Sequence, residues 1–305
     1  MMQVVLTGLA TGSIYGIVAM AYAVVYYVTR VINFATGQLM MLSIMVTTEL
    51  SLHGVPVAVS LLVGVGATTL ATVVVYFVAV QPVIKMNRFN FAWLVSTLGI
   101  GIIIESAAAF YWGVNSLPFP NLLNTKDVNV LGGHLTWQQI LTVAVSVIVL
   151  AAFVSFRKMT LFGRIGMAIS SDPEIAAATG ANVGSYSIWV FVVSGLLISI
   201  AGILIGPISF ADAYLGETFG ISGFVALMIG GIESPAAAMA GGWILGVLES
   251  FAVTYINAQA ADWFPFIVVV VVLLVKPTGL FVSGQSFKGI LRLRSAKRET
   301  PRVPA

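Results

Sequence analysis

Nine apolar runs, separated by polar or Pro/Gly breaks, occupy residues 4–28, 32–50, 57–80, 90–112, 137–156, 187–209, 221–233, 236–256 and 263–282. The hydrocarbon core of a bilayer is about 30 Å thick and takes roughly 20 apolar helical residues to cross. Only 8% of the 305 residues are charged and 59% are apolar, whereas a soluble domain carries about a quarter charged residues. A water-solvated globule of this size has no interior large enough for so much apolar surface. The expected fold is therefore an all-α, polytopic transmembrane bundle of eight or nine segments. The seventh, Ile221 to Glu233, is too short to cross alone and reads as a broken or re-entrant helix. The first run lacks a basic flank and a cleavage site, so it reads as a retained span rather than a signal peptide.

Charge sets the orientation. If the loop holding Lys85 and Arg88 is cytoplasmic, alternation places Arg30, the 157–186 loop (Arg157, Lys158, Arg164) and the C-terminal tail on the same side, and leaves only Lys126 outside. This one-sidedness is the positive-inside pattern, with the N-terminus out and the C-terminus in. It also explains the net charge of +3 without nucleic acid. Two regions are expected: a transmembrane domain over 1–285 and a basic cytoplasmic tail over 286–305. Zero cysteines and two histidines in separate polar stretches exclude thiolate metal sites and disulfide frameworks, and leave no histidine cluster for a metal or a catalytic triad. No GxxxxGK[ST] loop occurs, so ATP, if used, is bound by a partner. We expect no cofactor or metal in this chain and no enzymatic chemistry.

Polar residues within apolar runs are expensive and are the first functional candidates. Asn33, Phe34, Thr36, Gly37 and Gln38 open the second run. Asn and Gln carry donors and acceptors without charge, which suits a zwitterion, and Gly37 permits an unwound stretch; interhelical hydrogen bonding and a simple helix break fit the same residues. Glu105 and Glu249 lie deep in the fourth and eighth runs, either as partners for a substrate ammonium or a proton relay, or as hydrogen-bonded structural acids. Ser96 and Thr97, two turns from Glu105, are expected on its face. Gly8, Gly12 and Gly16 form a small-residue stripe, repeated at Gly202/Gly206 and Gly242/Gly246, that allows close helix approach. In the 157–186 loop, Asp172 can cap a short helix, Pro173 fits its first turn, Glu174 complements the dipole and Gly180 closes it. So short a helix must dock on the bundle or on a partner.

Gly12-Ser-Ile-Tyr15, Ile32-Asn-Phe-Ala-Thr-Gly37, Gly163-Arg-Ile-Gly-Met-Ala168 with Asp172-Pro-Glu174 and Gly180, Ile229-Gly-Gly-Ile232, Ala240-Gly-Gly-Trp243 and Lys276-Pro-Thr-Gly-Leu-Phe281 together resemble the permease of branched-chain amino acid ABC importers, most nearly its H-type subunit. The resemblance spans nearly the whole chain. It implies a second permease (M-type, or a second copy), two cytoplasmic ATPases that bind ATP, an external solute-binding protein and an inner-membrane location. By the same resemblance, Asn33, Phe34 and Gly37 fall on the family's INFAHG-like motif. Gly163, Arg164, Asp172, Pro173, Glu174, Ala177 and Gly180 fall on the loop that engages the ATPase. Thr36 stands where the family commonly has His, and Glu233 where the second glycine pair usually reads Gly-Ser. The expected function is half of a pathway for branched-chain or other amino acids. Urea, short amides or small organic acids are the alternative cargo, and a proton-coupled transporter using Glu105 and Glu249 is the alternative mechanism.

Overall fold

A computed structural model describes residues 1–86, 91–120, 127–130, 133–276 and 279–281. Arg88, Lys126, Pro277, Thr278 and the 286–305 tail lie outside these described residues. Helix α1 runs over Met2–Thr29 and α2 over Thr36–Leu52. Helix α3 (Val57–Val75) continues through a π-helical turn at Tyr76–Val80 into α4 (Gln81–Met86), and α5 covers Ala92–Trp112. A hairpin of β1 (Asp127–Val130) and β2 (Gly133–Thr136) precedes α6 (Trp137–Met159), α7 (Leu161–Ser171) and α8 (Pro173–Ala178). Helices α9 (Val183–Ser209), α10 (Leu215–Gly230), α11 (Pro235–Tyr255) and α12 (Ala260–Val275) complete the described chain.

The all-α membrane bundle is present, with six helices among the described residues long and apolar enough to cross a bilayer alone. Helices α2, α10 and α12 are shorter, at 17, 16 and 16 residues. The short seventh run belongs to α10, which begins six residues earlier than the apolar run because Leu215 to Gly220 is already helical. The α7 helix and the β1–β2 hairpin are additions to what the sequence implied.

Glycine contacts assemble the centre. Helix α1 packs along α11 with glycine against glycine. A Cβ on Gly12 would stand 2.6 Å from the Gly242 carbonyl oxygen, and one on Gly8 2.7 Å from the Val247 Cα. One on Gly246 would fall on the backbone of Gly12. The stripe is thus consumed within the chain, where close backbone contact replaces the hydrophobic force that lipid does not supply. Ser13 joins three helices at this seam, accepting from Trp243 Nε1 at 3.0 Å and from the Ser146 hydroxyl at 3.0 Å.

Residues 31–35 fold back into the bundle, and Val31, Ile32, Asn33 and Ala35 are all buried. A Cβ on Gly37 would lie 2.7 Å from Gly220 Cα, and the Tyr22 hydroxyl donates to the Gly220 carbonyl at 3.3 Å. The first turns of α2 and α10 therefore cross at the level of Tyr22, about two turns short of the α1 C-terminus. Both helices begin inside the bundle, an arrangement tolerated in a membrane where non-helical backbone is surrounded by protein.

Candidate functional site

The crossing of α2 and α10 opens a cavity of about 280 Å³. Tyr22 of α1, Phe34, Gln38 of α2, Glu105 of α5, and Glu217 and Phe224 of α10 line it. Gln38 Nε2 donates to Glu105 Oε2 at 3.3 Å, so the amide holds one carboxylate oxygen. The aromatic wall is continuous: Phe34 lies 5.2 Å from Phe224 and Phe224 6.4 Å from Tyr22, centroid to centroid. Two carboxylates beside aromatic faces form a cation-attracting surface. Gly216 and Gln38 bring the first turns of α10 and α2 to the same space, and among the described residues neither turn receives a side-chain cap. The cavity therefore combines Glu105 with the starts of two helices, and Glu217 itself lies in the first turn of α10, where a carboxylate meets the positive end of the helix dipole.

Of the sequence-derived candidates, Phe34, Gln38 and Glu105 come together here. Asn33, Thr36 and Gly37 shape the entry to α2 instead. Asn33 is 1% exposed; its Oδ1 accepts from Ala35 N at 3.2 Å, and its backbone carbonyl accepts from the Thr36 hydroxyl at 2.5 Å. Ser96 does not line the cavity. It turns toward the π-helical segment and donates to the Ala79 carbonyl at 2.9 Å, which satisfies backbone in an irregular turn. Glu249 does not line it either. It is buried between α1 and α11, where its Oε1 accepts from the Tyr15 hydroxyl at 2.9 Å, so the two intramembrane acids occupy separate environments. Tyr22 and Glu217 are lining residues that the sequence did not single out. The one available signal was an acid between two glycines, Gly216-Glu-Thr-Phe-Gly220, just before the short run.

At one end of the bundle, α7 and α8 form a docked pair. Thr160 caps α7 by accepting from Gly163 N at 3.0 Å. Asp172 caps α8, its Oδ1 accepting from Glu174 N at 2.9 Å and Ile175 N at 3.0 Å. Pro173 opens α8, and Gly180 follows it at φ 94°, the left-handed closure that glycine adopts without strain. Anchors tie α7 to the core: Arg30 donates to the Ser170 carbonyl at 2.6 Å and Tyr186 to the Phe162 carbonyl at 3.2 Å. Beside them, Arg157 of α6 donates to the Tyr27 hydroxyl of α1 at 2.9 Å. Gly163 is buried, and a Cβ there would stand 2.5 Å from Arg157 Cα. Arg164, Glu174 and Ala177 face outward. Ile175 does too, at 65% exposure; like Tyr22 and Glu217, it is not among the residues the sequence singles out.

Known permease proteins resemble this chain over most of its length. The high-affinity branched-chain amino acid transport system permease protein LivH of Escherichia coli K12 is 29% identical over 92% of this chain and 94% of its own. LivH of Salmonella typhimurium is 28% identical over the same shares. BraD of Pseudomonas aeruginosa, a permease protein of the same description, is 28% identical over 92% of this chain and 95% of its own. The family model described as branched-chain amino acid transport system / permease component matches residues 4–275, a stretch that holds the cavity, the α1–α11 seam and α7–α8. The chain belongs to this family of branched-chain amino acid transport permeases.

Proposed function

We propose that the chain forms half of the translocation pathway of an ABC importer for branched-chain or related amino acids. In this reading it is fed by an external solute-binding protein, paired with a second, M-type permease and driven by ATPase subunits that bind the ATP. The carrying observation is the pairing of an acid-lined cavity inside the bundle with a docked helix that presents an exposed isoleucine at one end. The cavity suits a zwitterion: Glu105 and Glu217 attract the ammonium, the N-terminal turns of α2 and α10 offer dipole ends to the carboxylate, and Phe34 and Phe224 supply an apolar wall for the side chain. A neutral amide or urea leaves both acids without a counter-charge, and a carboxylate-only solute is repelled by them. A proton relay loses its second acid, because Glu249 is held by Tyr15 away from this space.

Arg30, Arg157 and Arg164 gather at the α7–α8 end with Lys85, which supports a cytoplasmic assignment for that end. Helix α8 then receives the ATPase, and closure of the two ATPases shifts the paired permeases between outward- and inward-open states. Ile175 supplies the apolar contact, with Glu174 and Ala177 beside it. Replacing Ile175 with Asp is expected to reduce ATP-driven amino acid uptake by at least about tenfold, as burial of an unpaired carboxylate requires, without changing the amount of this chain in the membrane. Uptake at the unmodified level, measured in vesicles holding the full importer, would remove α8 from the coupling path.

A further inference from the structure

A second cavity, of about 310 Å³, lies at the α7–α8 end, on the other side of the Phe34–Trp93 stack from the first. Its chemistry is the reverse of the first. Arg30 and Lys85 supply two cations, and among the described residues no carboxylate lines it. Tyr76, Gln81 and Ser187 give it polar groups, and Trp93 stands at its edge with an indole face. Val183 and Gly184 bring the first turn of α9, a 27-residue helix, to the same opening, adding the positive end of its dipole to the two side chains. Pro173 closes the cavity from α8. A space this size with two cations, neutral hydroxyl and amide groups and an interfacial tryptophan fits a phosphate, the anion whose several acceptor oxygens engage arginine and lysine together.

We propose that this cavity binds a phosphate group, that of an anionic phospholipid headgroup, and that the bound group ties α1, α4 and α9 to α8 through Arg30, Lys85 and the α9 N-terminus. Its position accounts for the source. The cavity sits where membrane-crossing helices end, and Val28, Val83 and Ile84 of the same lining offer apolar contact for the first acyl carbons. Basic pockets between helices at this depth are where headgroups are held. Arg30 already reaches the Ser170 carbonyl of α7, so a phosphate on its remaining donors lies one residue contact away from the segment that faces the partner. This inference does not depend on which solute is carried.

The test is lipid retention by the purified full-length chain. Detergent-solubilised protein is offered phosphatidylglycerol and phosphatidylcholine in equal amounts, stripped by dilution and read by native mass spectrometry, with inorganic phosphate as a third arm. The wild-type chain is expected to retain phosphatidylglycerol at least about fivefold over phosphatidylcholine, the preference that one or two engaged cations confer. Lys85→Gln, which leaves the Arg30–Ser170 tie in place, should bring the ratio near one, and Lys85→Arg should restore it. Displacement of the lipid by millimolar inorganic phosphate would keep the phosphate site and assign it to a soluble phosphate. Equal retention of phosphatidylglycerol by the wild-type and Lys85→Gln chains would overturn the proposal, as would a wild-type chain with no preference between the lipids.

Discussion

Replacement of Glu105 by Gln is expected to abolish amino acid uptake, by roughly 10- to 100-fold or more, while the chain inserts and assembles at its normal level. The substitution keeps the size of the side chain and its capacity to accept from Gln38, whose Nε2 lies 3.3 Å from Glu105 Oε2. What it removes is the negative charge, and a hydrogen bond to a charged group contributes about 1.5–3 kcal/mol, which corresponds to this range of rates when expressed only in the occupied pathway. Glu249→Gln offers the contrast. Its partner is the Tyr15 hydroxyl within the α1–α11 seam, an interaction a glutamine carbonyl also accepts, so uptake should remain within about threefold of wild type, as befits loss of at most one modest hydrogen bond. Initial rates in vesicles containing the complete importer, normalised to the amount of this chain, distinguish the two. Equal loss in both variants would mean that the cavity is not where the solute passes.

The second large effect is structural. Gly12→Leu or Gly246→Leu is expected to prevent the native bundle from forming, because a Cβ alone at Gly12 would sit 2.6 Å from the Gly242 carbonyl oxygen and 2.9 Å from Trp243 Cα. Backbone cannot move aside as a side-chain tip can, and overpacking of a tight interface costs about 1–3 kcal/mol even where some relaxation is possible. Separation of α1 from α11 would also break the Ser13–Trp243 and Tyr15–Glu249 bonds together. Gly66→Leu is the matched control, since a Cβ at Gly66 meets nothing within 4 Å and the position lies on a lipid-facing run. The monodisperse fraction after detergent extraction should fall at least about tenfold for the seam variants, given the combined cost, and remain near wild type for Gly66→Leu. Equal recovery of all three would refute the glycine seam as the element that joins α1 to α11.

Most of the membrane architecture was legible because apolar length is itself the signal. Helices α1, α5, α6, α9 and α11 fall within a few residues of their runs, and the α8 cap, with Asp172, Pro173 and Gly180 in their expected roles, was readable from turn chemistry. The failures have a common cause. In lipid a helix is apolar all round, so the periodicity that identifies a buried face in a soluble protein is weak, and a polar residue shows that a span is interrupted without showing toward what. Ser96 and Glu105 were therefore assigned one face, yet Ser96 serves the π-helical turn at Ala79. Glu249 and Glu105 were grouped as intramembrane acids, yet a seam and a cavity separate them. Glu217 was passed over because it precedes the apolar run, although α10 begins at Leu215 and places that residue at the cavity. Helix α7 is not signalled by the sequence because glycine, here Gly163 and Gly166, is a poor helix former. They are glycine because Arg157 and Tyr186 occupy the space a side chain would need.

The most direct test of the central claim, a passive half-pathway moved by partner ATPases, is leucine uptake into sealed vesicles under two drives. With the second permease, the ATPases and the binding protein present, ATP is predicted to drive accumulation, and removal of the ATPases to end it. With this chain alone, a pH gradient is predicted to drive none. Leucine accumulation by the isolated chain under a pH gradient, undiminished when ATP and the ATPases are withheld, would contradict the account.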